Sequence, residues 1–179
     1  MTADSEAPEE IVWQGKFITA RRRGRWEYVS RARGIRAAVI LPVDGDDVVL
    51  VEQYRVPLGR NAIELPAGLI GDDEGSENED ALEAAKRELE EETGYTAKDW
   101  QVIGEFFSSP GMVSESFTLL KAGNLTRTGP GGGTGDEDIK VHRVKLSAVP
   151  EFLDAARARG CAIDVKLMLI VGRQILGAG

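Results

Sequence analysis

Cysteine and histidine are almost missing from this 179-residue chain, which has one of each, Cys161 and His142. A single cysteine excludes an intrachain disulfide and fits a reducing, cytoplasmic compartment. Around it, Arg159-Gly160-Cys161-Ala162 offers no histidine or second cysteine at zinc or catalytic spacing, so Cys161 reads as a small core residue. His142 lies in a strand-like run beside Val141 and Val144, where a structural role is expected over a catalytic one. Positive charge is also short, with 22 Lys and Arg against 30 Asp and Glu and a net charge of −8. That balance argues against a general nucleic-acid binder, which needs a basic face to displace counterions from phosphates. Apolar runs such as 167–171 fall far short of the roughly 20 residues a membrane span requires. Residues 1–10 are acidic, lack the apolar core of a signal peptide, and are expected to form a disordered tail.

What is present is ordinary for one folded domain: 42% hydrophobic and 29% charged residues, with no internal repeat. The chain is organised around 79–95, which reads Glu79, seven residues, then Arg87-Glu88-Leu89-Glu90-Glu91-Glu92-Thr93-Gly94-Tyr95. Ala81, Leu82, Ala84, Ala85 and Leu89 favour a helix, and Gly94 stands where a left-handed C-terminal cap belongs. In such a helix Glu88 and Glu92 share a face, with Glu91 beside them. Three carboxylates there repel one another and oppose the helix dipole, each by a few tenths of a kcal/mol. A hard divalent cation would relieve that repulsion, since oxygen donors suit magnesium or manganese.

Ahead of this helix, 11–19 and 26–30 are strand-like, and Arg21-Arg22-Arg23-Gly24-Arg25 reads as a basic hairpin loop. The arginines serve either as a soluble turn or as contacts for an anionic ligand. Segments 35–43 and 48–54 are β-branched and joined by Asp44-Gly45-Asp46-Asp47, a hairpin signal. Arg55, at the strand end, suits phosphate or ribose; the alternative is a surface ion pair with Glu52. Segment 62–68 is a strand ending in a turn, where a buried Glu64 requires a partner and Gly68 allows close backbone approach.

After the helix, strands are expected over 101–107 and 115–121, with a Ser109-Pro110-Gly111 turn between them. The glycine-rich stretch 128–135 reads as a mobile loop and not a P-loop, because no Gly-Lys-Ser or Gly-Lys-Thr closes it. It delivers Asp136, Glu137 and Asp138 ahead of a strand over 139–146. Ser147 is expected to cap a helix running to Arg159, and Asp164 a second over 165–176, whose Leu167, Ile170, Val171 and Ile175 form an apolar stripe. Strands enclosing one central helix, with two terminal helices, predict an α/β sandwich.

The motif Glu79, Arg87-Glu88-Leu89, Glu91-Glu92, Gly94 resembles the signature of the Nudix hydrolases, and the chain most resembles their ADP-ribose pyrophosphatases. The family's leading glycine is matched by Gly68 only across a five-residue insertion near 72–76. Pro110, sixteen residues after Gly94, accompanies ADP-ribose preference in that group. The resemblance implies an α/β/α sandwich with a mixed sheet over 34–179, and an N-terminal antiparallel β extension over 11–33 that builds a homodimer. It implies magnesium, with manganese as a substitute, held by the Ala67 carbonyl, Glu88, Glu91 and Glu92, while Glu79 and Arg87 brace loop and helix. Glu137 is the expected base, with Asp136 a weaker substitute, and Glu91 shares the catalytic role. Arg55, Glu64, Pro110, Gly111, Met112 and Glu115 are expected around the substrate. Trp26 either stacks on the adenine across a dimer interface or packs in the ribbon. The implied reaction is hydrolysis of ADP-ribose to AMP and ribose 5-phosphate. The alternatives are another nucleoside diphosphate sugar such as GDP-mannose, a dinucleotide, or a module that senses ADP-ribose without cleaving it.

Overall fold

A computed structural model describes residues 3–32, 35–71, 79–135 and 137–177. Among these residues the strands form two sheets. The smaller is an antiparallel ribbon of β1 (Glu9–Gln14), β2 (Ile18–Arg23) and β3 (Trp26–Arg31). The larger contains β4 (Arg36–Asp44), β5 (Asp47–Arg55), β6 (Arg60–Glu64), β7 (Ala67–Ile70), β8 (Tyr95–Phe107), β9 (Ser116–Arg127), β10 (Lys140–Lys145) and β11 (Ala162–Ile163). Helix α1 (Ala3–Glu6) precedes the ribbon, α2 (Ala81–Thr93) follows β7, and α3 (Val149–Ala158) and α4 (Met168–Ile175) close the chain. No described helix is long and apolar enough to cross a membrane.

Period-two alternation divides the larger sheet between two cores. Ala38, Ile40, Val49, Leu120 and Ala122 pack with Ala84, Ala85 and Leu89 of α2. Their sequence neighbours Val39, Val48, Leu50 and Leu119 turn to the other face, against Val149 and Leu153 of α3 and Leu167. The result is the expected α/β/α sandwich with a mixed sheet: β4 runs parallel to β9 and antiparallel to β7.

The β4–β5 hairpin is paired only at its turn, through Val43 with Val48 and Asp44 with Asp47. Beyond that the strands part, β4 toward β7 and β9, β5 toward β6 and β10. Their open ends leave a cleft between the start of β4 and the end of β5.

Three local expectations need correction. The acidic leader is structured over its described part: Asp4 is buried against Arg25 at 2.9 Å, and Glu9 and Glu10 pair with Arg21, Arg22 and Arg23 across the ribbon. Those arginines therefore belong to β2, and only Gly24 and Arg25 turn. Helix α3 begins after a 3-10 turn, Leu146–Ala148, with Ala148 and not Ser147 at its cap and Pro150 in its first turn.

The glycine-rich stretch is also more than a loop. Gly132 and Gly133 donate to the Glu92 and Glu91 carbonyls at 2.8 and 3.0 Å, and Thr128 and Gly129 donate to the Gly94 carbonyl at 2.8 and 3.1 Å. It thereby satisfies carbonyls that the end of α2 leaves unpaired.

Candidate active site

Asp80 caps α2 by accepting from the Leu82 amide, and Gly94 ends it at φ 69° with its amide bonded to the Glu90 carbonyl. This fixes the helix register and turns Glu88, Glu91 and Glu92 into the cleft between β4 and β5. The cavity there has a volume of about 520 Å³. Ala37 and Val39 line it from β4, Gln53 and Arg55 from β5, and Glu64, Ala67, Gly68 and Leu69 from the next two strands. Thr134 and Glu137 enter from the glycine-rich segment, and Arg31 and Glu115 from the ribbon side.

Six glutamates line this pocket; Glu64 and Glu115 are paired to arginines, and Glu88, Glu91, Glu92 and Glu137 form the acidic wall from α2 and the segment before β10. Glu92 is only 5% exposed, and its Oε2 accepts from the Ala67 amide at 3.0 Å. Burial pushes the Glu92 carboxyl up to about 8, with Glu88 and Glu137 adding to the rise and the Ala67 amide opposing it. Burial likewise raises Glu88, against the opposing pull of Arg87. Arg87 Nη1 lies 2.7 Å from Glu88 and 3.2 Å from Glu91, and its Nε lies 3.6 Å from Glu79. The Glu79 carboxylate in turn accepts from the Gly71 amide at 3.4 Å. Glu79 and Arg87 therefore join the incoming loop to the helix. Gly68 leaves room for this placement of Glu88, because a β-carbon there would overlap the Glu88 carboxyl group.

Among the described residues no three His, Cys, Asp or Glu side chains stand in metal-ligating geometry; Arg87 takes up Glu88 and Glu91 instead. The donor chemistry nevertheless fits a hard divalent cation. All the acids supply oxygen, and a buried carboxyl raised by like-charged neighbours is stabilised as the anion by a cation. Ala67, Glu88, Glu91 and Glu92 are the residues that would hold it.

Arg55 makes a two-pronged ion pair with Glu64 at 2.7 and 2.8 Å, which supplies the partner a buried Glu64 requires. Glu52 lies on the opposite face, where it accepts from Asn61 at 2.9 Å and lies 3.2 Å from His142 Nε2. Burial pushes the Glu52 carboxyl up, yet the hydrogen bonds from Asn61 and His142 outweigh it and hold the group below its usual range. His142 also packs on Phe152 with ring centroids 5.0 Å apart, a structural setting. Glu115 meets Arg31 at 2.6 Å. Glu137 is exposed and accepts from the Thr134 amide at 2.9 Å, while Asp136 and the insertion near 72–76 lie outside the described residues.

The structure does not bring every expected residue to this pocket. Trp26, Pro110 and Gly111 line a separate cavity of about 370 Å³ that shares no lining residue with the carboxylate cleft. Met112 is 62% exposed, and its carbonyl accepts from the Val29 amide at 3.0 Å, tying the turn to β3. Conversely, Lys166, Arg31 and Phe117 line the cleft without having been singled out. Only the fold brings them there, and the local sequence around Lys166 signals no more than a capped turn after Asp164.

A family model described as NUDIX domain matches residues 33–161. An ADP-ribose pyrophosphatase of Bacillus subtilis is 42% identical over 89 residues, covering 50% of this chain and 45% of that protein. A GDP-mannose pyrophosphatase of Cronobacter sakazakii is 34% identical over 148 residues, covering 78% of this chain and 72% of the relative. Among solved structures, an ADP compounds hydrolase superposes with a TM-score of 0.67 at 23% identity, covering 96% of this chain and 94% of its own. That likeness speaks for the fold.

Proposed function

Because the chain belongs to the Nudix family, we propose that it is a magnesium-dependent hydrolase that cleaves the pyrophosphate bond of ADP-ribose to give AMP and ribose 5-phosphate. The observation that carries this reading is the one cleft holding Glu88, Glu91, Glu92 and Glu137 together with Arg31, Arg55 and Lys166. Pyrophosphate hydrolysis asks for charge neutralised on phosphate oxygens and a water held in line with the leaving group. A magnesium ion would supply charge neutralisation and an acidified water. The chain's own part is to present the acids of α2 from one wall, steady Glu88 and Glu91 through Arg87, and offer arginines to the phosphates. Glu137, exposed on its loop, takes the proton from the attacking water. Glu92 and the Ala67 amide keep the helix docked on β7.

The homodimer belongs to the same reading. The ribbon leaves Ile11, Val12 and Trp13 of β1 more than half exposed, an apolar strand that a second copy would cover. A cytoplasmic location agrees with Cys161, a buried free thiol.

A second substrate has support in the GDP-mannose pyrophosphatase relative, which is matched over more of its length than the B. subtilis enzyme. The deciding experiment measures products from ADP-ribose, GDP-mannose and nicotinamide and flavin dinucleotides, with and without magnesium, on wild type and Glu92→Gln. Magnesium-dependent cleavage strongest with ADP-ribose and lost in the variant is expected. Faster cleavage of GDP-mannose overturns the substrate, and tight ADP-ribose binding without turnover overturns the hydrolase in favour of a sensor.

A further inference from the structure

Glu137 sits between two fixed points of the fold. On one side is the glycine-rich segment, where the Gly132 and Gly133 amides donate to the Glu92 and Glu91 carbonyls at 2.8 and 3.0 Å. The next amide, that of Thr134, donates to the Glu137 carboxylate at 2.9 Å. Three consecutive N–H groups therefore join the backbone of two α2 acids to the side chain of Glu137. Two further bonds close the turn, from the Glu137 amide to the Thr134 carbonyl and from the Ile139 amide to the Gly132 carbonyl, both at 3.2 Å. On the other side β10 begins at Lys140, which pairs with Glu52 of β5.

The glycines of this segment are not equivalent. Gly131 has φ 69°, and a β-carbon there would overlap the Thr93 carbonyl group and the Glu92 carbonyl oxygen, all of it backbone. Gly133 has φ 85°, and a β-carbon there would overlap the Glu137 carboxylate and the Glu137 β-carbon. Gly129 lies outside the left-handed region and has open space where a β-carbon would stand. Gly131 thus permits close approach to the helix, and Gly133 permits close approach to the base.

An exposed glutamate samples several rotamers, and a misplacement of about 1 Å at a reacting group can cost on the order of 10²-fold in rate. We propose that 131–134 is a clasp that sets Glu137 in register with the α2 acids. Gly131 and Gly133 are then positioning residues, which act through Glu137 and not through contact with substrate. This rests on the hydrolase reading above, with Glu137 as its base.

The test combines kcat and KM at saturating magnesium with amide hydrogen exchange in the metal-free full chain. It compares wild type, Gly129→Ala, Gly131→Ala and Gly133→Ala, each also in a Glu137→Gln background. With Glu137 present, Gly131→Ala and Gly133→Ala are expected to lower kcat roughly ten- to hundred-fold with KM little changed, while Gly129→Ala leaves both at wild-type values. In the Glu137→Gln background the same two substitutions should cost less than about three-fold, because the group they misplace is already gone. Exchange at the Gly132 and Gly133 amides should be slow in wild type and Gly129→Ala, and fast in Gly131→Ala. Circular dichroism checks folding, and Gly133→Ala, which acts away from the helix end, carries the kinetic test if Gly131→Ala unfolds. Equal losses of kcat with and without Glu137 overturn the clasp in favour of general damage to the fold. So do a wild-type kcat in Gly131→Ala with protection gone, and unprotected Gly132 and Gly133 amides in wild type. Failure of the hydrolase reading shows separately, as absence of cleavage in the substrate panel with protection at Gly132 and Gly133 intact. A wild-type kcat in Glu137→Gln removes the base, and with it the clasp's role.

Discussion

Gly68 and the Glu88 carboxyl group occupy adjoining space so closely that a β-carbon at position 68 would overlap Cδ, Oε1 and Cγ of Glu88. The backbone at Gly68 is not in the left-handed region, so alanine can adopt it without strain. The overlapped atoms are the far end of a flexible side chain, which can swing away. Gly68→Ala is therefore expected to leave the thermal midpoint nearly unchanged while displacing an oxygen of the proposed metal site. Turnover and magnesium affinity should fall roughly ten- to hundred-fold. Magnesium titration of activity checks this, and an unchanged magnesium requirement would remove Glu88 from the metal set.

Gly94→Ala should behave in the opposite way. Gly94 has φ 69°, and a β-carbon there would strike the Gly129 carbonyl and the Gly131 amide, which are backbone and cannot rotate aside. Strain and overlap together are expected to cost about 2 to 4 kcal/mol. At about 2 to 4 °C per kcal/mol for a chain of this size, a drop in midpoint of at least about 4 °C follows. Calorimetry reads it, and a midpoint within a degree of wild type would show that the glycine-rich segment does not pack on the helix end.

Glu92 makes metal-free stability depend on pH. Its carboxyl is raised from 4.5 to about 8 in the folded chain, so between those values the folded state binds more protons than the unfolded state. Stability contributed by the protonated group is complete below 4.5 and is lost as pH rises toward 8. In chelator, wild type should lose on the order of 2 to 4 kcal/mol more than Glu92→Gln between pH 5 and pH 8. Saturating magnesium should reverse the trend by binding the ionised form. Urea midpoints at the two pH values measure it, and parallel losses in wild type and variant would place Glu92 in a wetter setting.

How far the sequence reaches is clear from single residues. Helix α2 is legible because its signals are local: helix-forming alanines and leucines, and Gly94 at the stop. The strand pair 35–43 and 48–54 is legible for the same reason, but its splaying is not, since that depends on β7, β9, β6 and β10 arriving from elsewhere. Arg55 pairing with Glu64 and not with Glu52 could have been found. Residues three apart on a strand face opposite ways, so Glu52 turns to His142 while Arg55 turns to the cleft. Lys166 could not, because only the packing of the last turn against β9 brings it to the acids of α2. Nor could the partners of 128–135, where composition signalled freedom and the fold uses small residues to approach α2 closely.

Glu137 remains the sharpest assignment to test, because its surroundings separate catalysis from structure. The side chain is exposed, and among the described residues it is anchored by the Thr134 amide. A glutamine amide oxygen can accept the same bond, so Glu137→Gln keeps the loop in place and removes only the charge and the basicity. If Glu137 takes the proton from the attacking water, kcat should fall roughly 10²- to 10⁴-fold with KM little changed, and the acidic limb of the rate profile should disappear. If Glu137 acts only through its field, its removal lowers the Glu88 and Glu92 carboxyls, both of which its charge now raises. Magnesium affinity would then shift while kcat at saturating metal stayed within a few-fold of wild type. Steady-state rates across pH at saturating magnesium separate the two, and the second result would move the base to Glu91, a partly exposed acid of α2 in the same cleft.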